Sequence, residues 1–246
     1  MRNYALETEK RVAWIREQIG AAGADGVIFN NSGGKDCALV GILCKMACED
    51  TVGLILPCEA KRNFGEDADD ANALAEKFGI SMRTFDLTAV KAGFVDMLSP
   101  SVELNKMATT NLAPRLRMLT LYAVANAENR LAAGTGNRSE TFMGYFTKWG
   151  DGAYDFNPIA DLTVTEVYEF LRYLGAPESI ITKPPSAGLF EGQTDELEMG
   201  ITYAAIDDYI LNGVASDEDR KKLDAYHSRS EHKRRMPSRY GFEEIL

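Results

Sequence analysis

The sequence predicts an α/β fold: a single domain on an open parallel sheet flanked by helices, Rossmann-like, with further helices toward the C-terminus. Three observations carry this. Short β-prone apolar segments alternate with stretches at helical spacing, the pattern of a parallel sheet with right-handed crossovers. The chain has 246 residues and is 45% hydrophobic, enough for one sizeable core. A Gly pair, Gly33-Gly34, directly follows the first strand-like segment, where a chain turning from strand into helix needs it.

Taken in order, Val12, Ile15 and Ile19 lie at helical spacing among charged residues and predict an amphipathic helix over 5–21. Val27-Ile28-Phe29 predicts a strand, and Ala38 to Ala47 the helix beyond the Ser-Gly-Gly turn. Thr51 to Leu56 reads as a strand, Asp67 to Phe78 as a helix, Ser81 to Phe85 as a strand and Val90 to Leu98 as a helix. A longer helix, Leu112 to Asn129, feeds a strand at Leu131-Ala132-Ala133 and the turn Gly134-Thr135-Gly136-Asn137. Met143 to Pro158 is rich in Gly, Asp and aromatics without helical period, which predicts a long binding loop. Helices follow at Thr165 to Leu174, Ile201 to Leu211 and Glu218 to Ser230, with a break at Pro184 to Gly188. There is no internal repeat or low-complexity tract.

No apolar run approaches the roughly 20 residues that span a bilayer, and the N-terminus lacks a signal-peptide apolar region. The expectation is a cytoplasmic protein without a membrane partner. A net charge of −10 argues against nucleic acid, which requires a basic surface. An anionic small ligand would need a locally basic pocket, and Glu231-His232-Lys233-Arg234-Arg235 is such a cluster. Cys37, Cys44, Cys48 and Cys58 include no C-x-x-C, so free buried thiols are expected. His227, outside any motif, is expected on a helix surface.

The segment Ser32-Gly33-Gly34-Lys35-Asp36-Cys37 joins a strand to a helix, so its amides and the helix N-terminus could bind an oxyanion. It is not a Walker A loop, and Gly134-x-Gly136 lacks the third small residue of a dinucleotide fingerprint. Taken alone, Ser32 capping the helix explains the segment equally well.

The S-G-G-x-D-[S/C] pattern resembles the pyrophosphate loop of N-type ATP pyrophosphatases. From Asn111 onward the chain resembles ammonia-dependent NAD synthetases in separate blocks: Asn111 to Met118 with Tyr122, Gly134 to Glu140, Gly144 to Asp151, and Asp155 with Asn157-Pro158. Lys183 to Ala187, Gly192 to Glu196 and Glu231 to Arg234 continue the series.

Carried over by position, the resemblance implies ATP contacts at Ser32, Gly33, Gly34, Lys35, Asp36, Cys37, Thr135 and Ser186, and Mg²⁺ on Asp36 and Glu140. It assigns Arg115, Lys148, Asp155, His232 and Lys233 to the second substrate, nicotinic acid adenine dinucleotide (deamido-NAD). Mg²⁺ prefers one or two carboxylates with phosphate oxygens, and a dinucleotide carrying a diphosphate and a ring carboxylate needs cations.

The implied reaction belongs to NAD biosynthesis. The ring carboxylate attacks the α-phosphorus of ATP, pyrophosphate leaves into the loop, and ammonia displaces AMP from the acyl adenylate. No side-chain nucleophile is needed, Cys37 included. Glutamine-dependent relatives carry an extra amidase domain for which 246 residues leave no room, so ammonia is the expected donor. The resemblance also implies a homodimer with sites near the subunit boundary. Two departures stand out: Val164 where the family usually has an ATP-contacting lysine, and Cys37 for the usual serine. Lys35, where the family commonly has a neutral residue, could restore the lost charge.

Overall fold

The computed structural model describes residues 2–183 and 194–240, with Lys61 and Arg62 described in backbone only. Helix α1 (Tyr4–Ala22) begins where the Asn3 side chain accepts from Leu6 N and ends at Gly23 in the left-handed conformation. The alternating elements follow: β1 (Gly26–Asn30), α2 (Lys35–Ala47), β2 (Thr51–Ile55), α3 (Lys61–Phe64), α4 (Glu66–Phe78), β3 (Ser81–Thr84) and α5 (Thr88–Leu98). Then come α6 (Lys106–Thr110), α7 (Leu112–Ala127) and β4 (Arg130–Ala133). The remaining described elements are helical: α8 (Arg138–Met143), α9 (Val164–Leu174), α10 (Glu178–Thr182), α11 (Asp195–Met199), α12 (Tyr203–Asn212), α13 (Asp217–Arg229) and α14 (Glu231–Arg234).

The four strands form one parallel sheet in the order β3-β2-β1-β4. Both faces are covered, as a parallel sheet requires. Alternation along β1 divides the core: Val27 and Phe29 enter one cluster with Leu39 and Leu43 of α2, Leu74 of α4 and Phe170 of α9. Ile28 points the other way, to Leu54 of β2 and Leu116 and Leu121 of α7. A third cluster beside the sheet joins Met143 of α8, Val164 of α9, Ile206 of α12 and Leu223 of α13.

All four expected strands form. The 143–158 segment is a loop after the last residue of α8, and its Phe156 makes a parallel bridge to Ala133 at the end of β4. Helix α2 starts at Lys35 rather than Ala38, with Gly34 as its N-cap. Helix α7 stops at Ala127, and Asn129 takes a left-handed φ of 49° before β4. His227 departs from the surface expectation. It is half-buried, stacked on Phe142 at 4.4 Å with its Nδ1 3.0 Å from the Phe142 carbonyl, because α13 packs against α8. The Pro184 to Gly188 break lies outside the described residues.

Candidate active site

The chain runs from β1 outward through β2 and β3, then returns to place β4 on the other side of β1. The carboxyl ends of β1 and β4 therefore flank a topological switch point, where open parallel sheets bind ligands. A cavity of about 1090 Å³ opens there, lined by Ser32 to Cys37 except Gly33 and by Gly134, Thr135, Gly136 and Glu140.

Gly33 fixes the first loop. Its φ is +73°, and a Cβ there would lie 2.1 Å from the Asp67 carbonyl oxygen, so only glycine fits. Buried Asn31 braces the turn by accepting from Gly33 N at 3.2 Å while its amide donates to Ala71 O at 3.3 Å. Gly34 caps α2 without a side-chain hydrogen bond. Ser32 is thus not the cap; its Oγ lies 3.2 Å from Cys37 Sγ. Burial pushes the Cys37 thiol up, against hydrogen bonds from Ser32 and Thr135, which keeps it a neutral thiol.

The second loop is organised by Asn137, which is fully buried. Its Oδ1 accepts from Glu140 N at 2.9 Å, and its own N donates to Glu140 Oε2 at 3.2 Å, a capping box that starts α8. Asn137 Nδ2 also donates to Asp36 Oδ1 at 3.0 Å, tying the loop after β4 to the helix after β1. Behind it, buried Ser139 donates to Asp207 of α12, whose other oxygen accepts from Thr165 N at 2.8 Å in the first turn of α9.

Asp36 and Glu140, on separate elements in the sequence, thus converge. Between them stands Lys35, its Nζ 2.8 Å from Asp36 Oδ2 and 3.9 Å from Glu140 Oε1. Burial and the neighbouring Asp36 carboxylate hold Glu140 well above the usual range, with Lys35 opposing. Burial works against the Lys35 charge, but the Asp36 and Glu140 carboxylates outweigh it and raise its pKa. Among the described residues no group of three or more His, Cys, Asp and Glu converges as a metal site. Two carboxylates already gathered on one cation nevertheless match the donor set that Mg²⁺ takes with phosphate oxygens.

Of the residues assigned to the second substrate, Lys233 lines the cavity, with its Nζ 2.7 Å from Gly144 O and 2.6 Å from Phe146 O. Burial lowers its pKa. Arg115, Lys148 and His232 form a chain of contacts outside the lining: Arg115 Nη2 reaches Lys148 O at 3.4 Å, and Lys148 Nζ reaches His232 O at 2.8 Å. Asp155 also lies outside the lining, accepting from Tyr122 Oη at 3.0 Å and Ala132 N at 2.8 Å. Ser186 is outside the described residues. Val164 packs in the third cluster with 3% exposure, so no charge enters the cavity from that position.

The cavity contains groups that sequence reasoning did not single out. Arg117 donates to Leu56 O at 2.9 Å and Asn63 Oδ1 at 3.0 Å, and Lys183 bridges Asp67 and Asp70, each at 2.7 Å. With Lys35, Lys106, Arg229 and Lys233 they bring positive charge to one cavity of an acidic chain. The Asn137-Arg138-Ser139-Glu140 spacing was the signal available for Asn137, being that of a capping box. Arg117 lies within the Asn111 to Met118 block, which marked the segment but gave this arginine no role.

Residues 7–237 match the profile of the family described as NAD synthase. The NH(3)-dependent NAD(+) synthetase of Carboxydothermus hydrogenoformans is 47% identical over 238 residues, 96% of this chain and 97% of that protein. The structure of NMN synthetase from Francisella tularensis superposes with a TM-score of 0.93 at 35% identity, covering 98% of this chain and 100% of the other. NH3-dependent NAD synthetase from Campylobacter jejuni, determined in complex with a nitrate ion, gives 0.79 at 28% identity, covering 97% and 99%.

Proposed function

The chain belongs to the NAD synthase family, and from that premise we propose that it is a C–N bond-forming ligase that amidates deamido-NAD with ammonia at the expense of ATP. The observation that carries this reading is the shared cavity at the ends of β1 and β4, where a glycine loop without a side-chain cap and two converging carboxylates meet a concentration of cations.

In this reading the amides of residues 32–37 and the N-terminus of α2 receive the pyrophosphate that leaves ATP. Thr135 supplies a hydroxyl beside the nucleotide, the role that the resemblance also implies for Ser186. Asp36 and Glu140 hold Mg²⁺, which when bound neutralises charge on the phosphates. Arg117 and Lys233 offer charge to the anionic acceptor, with Arg115, Lys148, Asp155 and His232 as contacts at its outer end. Positioning of the ring carboxylate against the α-phosphorus does the main catalytic work, and no protein nucleophile takes part. A cytoplasmic location suits such a consumer of ATP.

Incubation with ATP, Mg²⁺, ammonium and deamido-NAD should yield NAD and AMP in equal amounts, and ATP left intact would overturn the reading. The likeness to an NMN synthetase favours a second acceptor, nicotinic acid mononucleotide. A higher kcat/KM for the mononucleotide than for deamido-NAD would replace the first acceptor with the second.

A homodimer is also part of this reading. Support comes from apolar side chains exposed on neighbouring helices, Met97 of α5 at 63% and Leu119 of α7 at 61%, of the kind that subunit contacts cover.

A further inference from the structure

The Asn137 contacts have a geometric result. Asp36 commits Oδ1 to the Asn137 amide, and Glu140 commits Oε2 to the Asn137 backbone. Each carboxylate therefore keeps one oxygen for the gap between them, and both of those oxygens face Lys35 Nζ, at 2.8 and 3.9 Å. The Lys35 side chain is 6% exposed, against 14% and 18% for the two acids, so water replaces little of this pairing. The rings of Tyr203 and Tyr168, with centroids 5.6 and 6.0 Å from Nζ, stand beside the ammonium.

We propose that Lys35 is a tethered cation occupying the divalent-metal position of this site, so that the metal enters only as the ammonium leaves. The proposal rests on the assignment of Asp36 and Glu140 as metal ligands. A divalent ion taking the two inward oxygens would claim the acceptors that Lys35 Nζ now faces, and the two positive charges would repel. Lys35 lines the cavity along with Ser32 and Gly34, so its tail has open space on the side where phosphates bind. Expulsion of Lys35 thus adds a positive charge to the phosphate side as metal arrives. In the metal-free protein the same ammonium screens two carboxylates that would otherwise repel each other.

The test uses Mn²⁺ alone, titrated into the protein and followed by electron paramagnetic resonance of the free ion. Lys35→Gln should bind Mn²⁺ at least about tenfold more tightly than the wild type, while Lys35→Arg, which keeps the cation, stays weak. Adding Glu140→Gln to Lys35→Gln should abolish the gain. Circular dichroism establishes that each variant is folded. Wild-type protein gives an independent readout: acetic anhydride labelling of Lys35, read by mass spectrometry, should rise when Mg²⁺ is added. Lys35→Gln that binds no more tightly than wild type, together with labelling indifferent to Mg²⁺, overturns the competition. Mn²⁺ binding that survives Glu140→Gln overturns the ligand assignment itself and the competition with it.

Discussion

Single positions in the site carry stability and chemistry together. Gly33→Ala must place a methyl group against a main-chain oxygen in a left-handed backbone, which costs on the order of 2 kcal/mol or more. Urea unfolding should show that loss, and calorimetry should show ATP binding weakened at least tenfold. Asn137→Ala removes a helix cap, about 1 kcal/mol, and the bond to Asp36, about another 1 kcal/mol. Its melting temperature should fall, with a larger proportional fall in kcat because Asp36 loses its brace. An Asn137→Ala enzyme with wild-type kcat would remove Asn137 from the positioning of that acid. At this scale the sequence marked Gly33, Asp36 and Glu140, because glycine after a strand and acids in matching blocks are visible in one dimension. It left Ser32 balanced between cap and ligand, and the backbone removed the cap reading by making Gly34 the N-cap. Arg117 and Lys183 lay in matching blocks without an assigned role, and folding brought them to the cavity, since their partners come from distant segments.

Among the helices, the long ones were legible and the short ones were not. Helices α3, α6, α8, α10, α11 and α14 are four to six residues long, too short to display a hydrophobic period. Helix α1 was legible but its anchorage was not. Arg11 bonds Asp161 at 2.7 Å and Glu7 at 2.7 Å, and Arg2 bonds Asp161 at 2.9 Å and Glu166 at 2.7 Å, clamping α1 to the start of α9. Burial pushes the Asp161 carboxyl up, but Arg11 and Arg2 outweigh it and hold it below its usual value. A carboxyl depressed in the folded state stabilises fully above its unfolded pKa of about 3.9 and loses that contribution as pH falls through the lower folded value. Between about pH 5 and 3, wild-type stability should therefore fall more steeply than that of Arg11→Met. With Asp161 55% exposed, solvent screening keeps the difference below about 1 kcal/mol. Parallel acid limbs in urea titrations of the two proteins would show that the clamp does not titrate.

For the molecule as a whole, a net charge of −10 masks a local gathering of cations, since lysines and arginines from six separate helices or their ends border one cavity beside its carboxylates. Composition ruled out a broad basic surface but could not locate this gathering of cations, which depends on how α2, α6, α7, α10, α13 and α14 are brought together. The proposed dimer belongs to this scale. Leu119→Glu and Met97→Glu should halve the mass in analytical ultracentrifugation while leaving circular dichroism unchanged. A dimer mass retained by both variants would place the subunit contact elsewhere.

The strand order has a kinetic consequence. Gly26 pairs with Arg130 across β1 and β4, so the crevice closes only after two segments far apart in the chain have found each other, whereas the helices need only local contacts. During refolding from urea, far-ultraviolet ellipticity should recover ahead of the capacity to bind an ATP analogue. Simultaneous recovery of the two signals would mean that β1 and β4 register as early as the helices form.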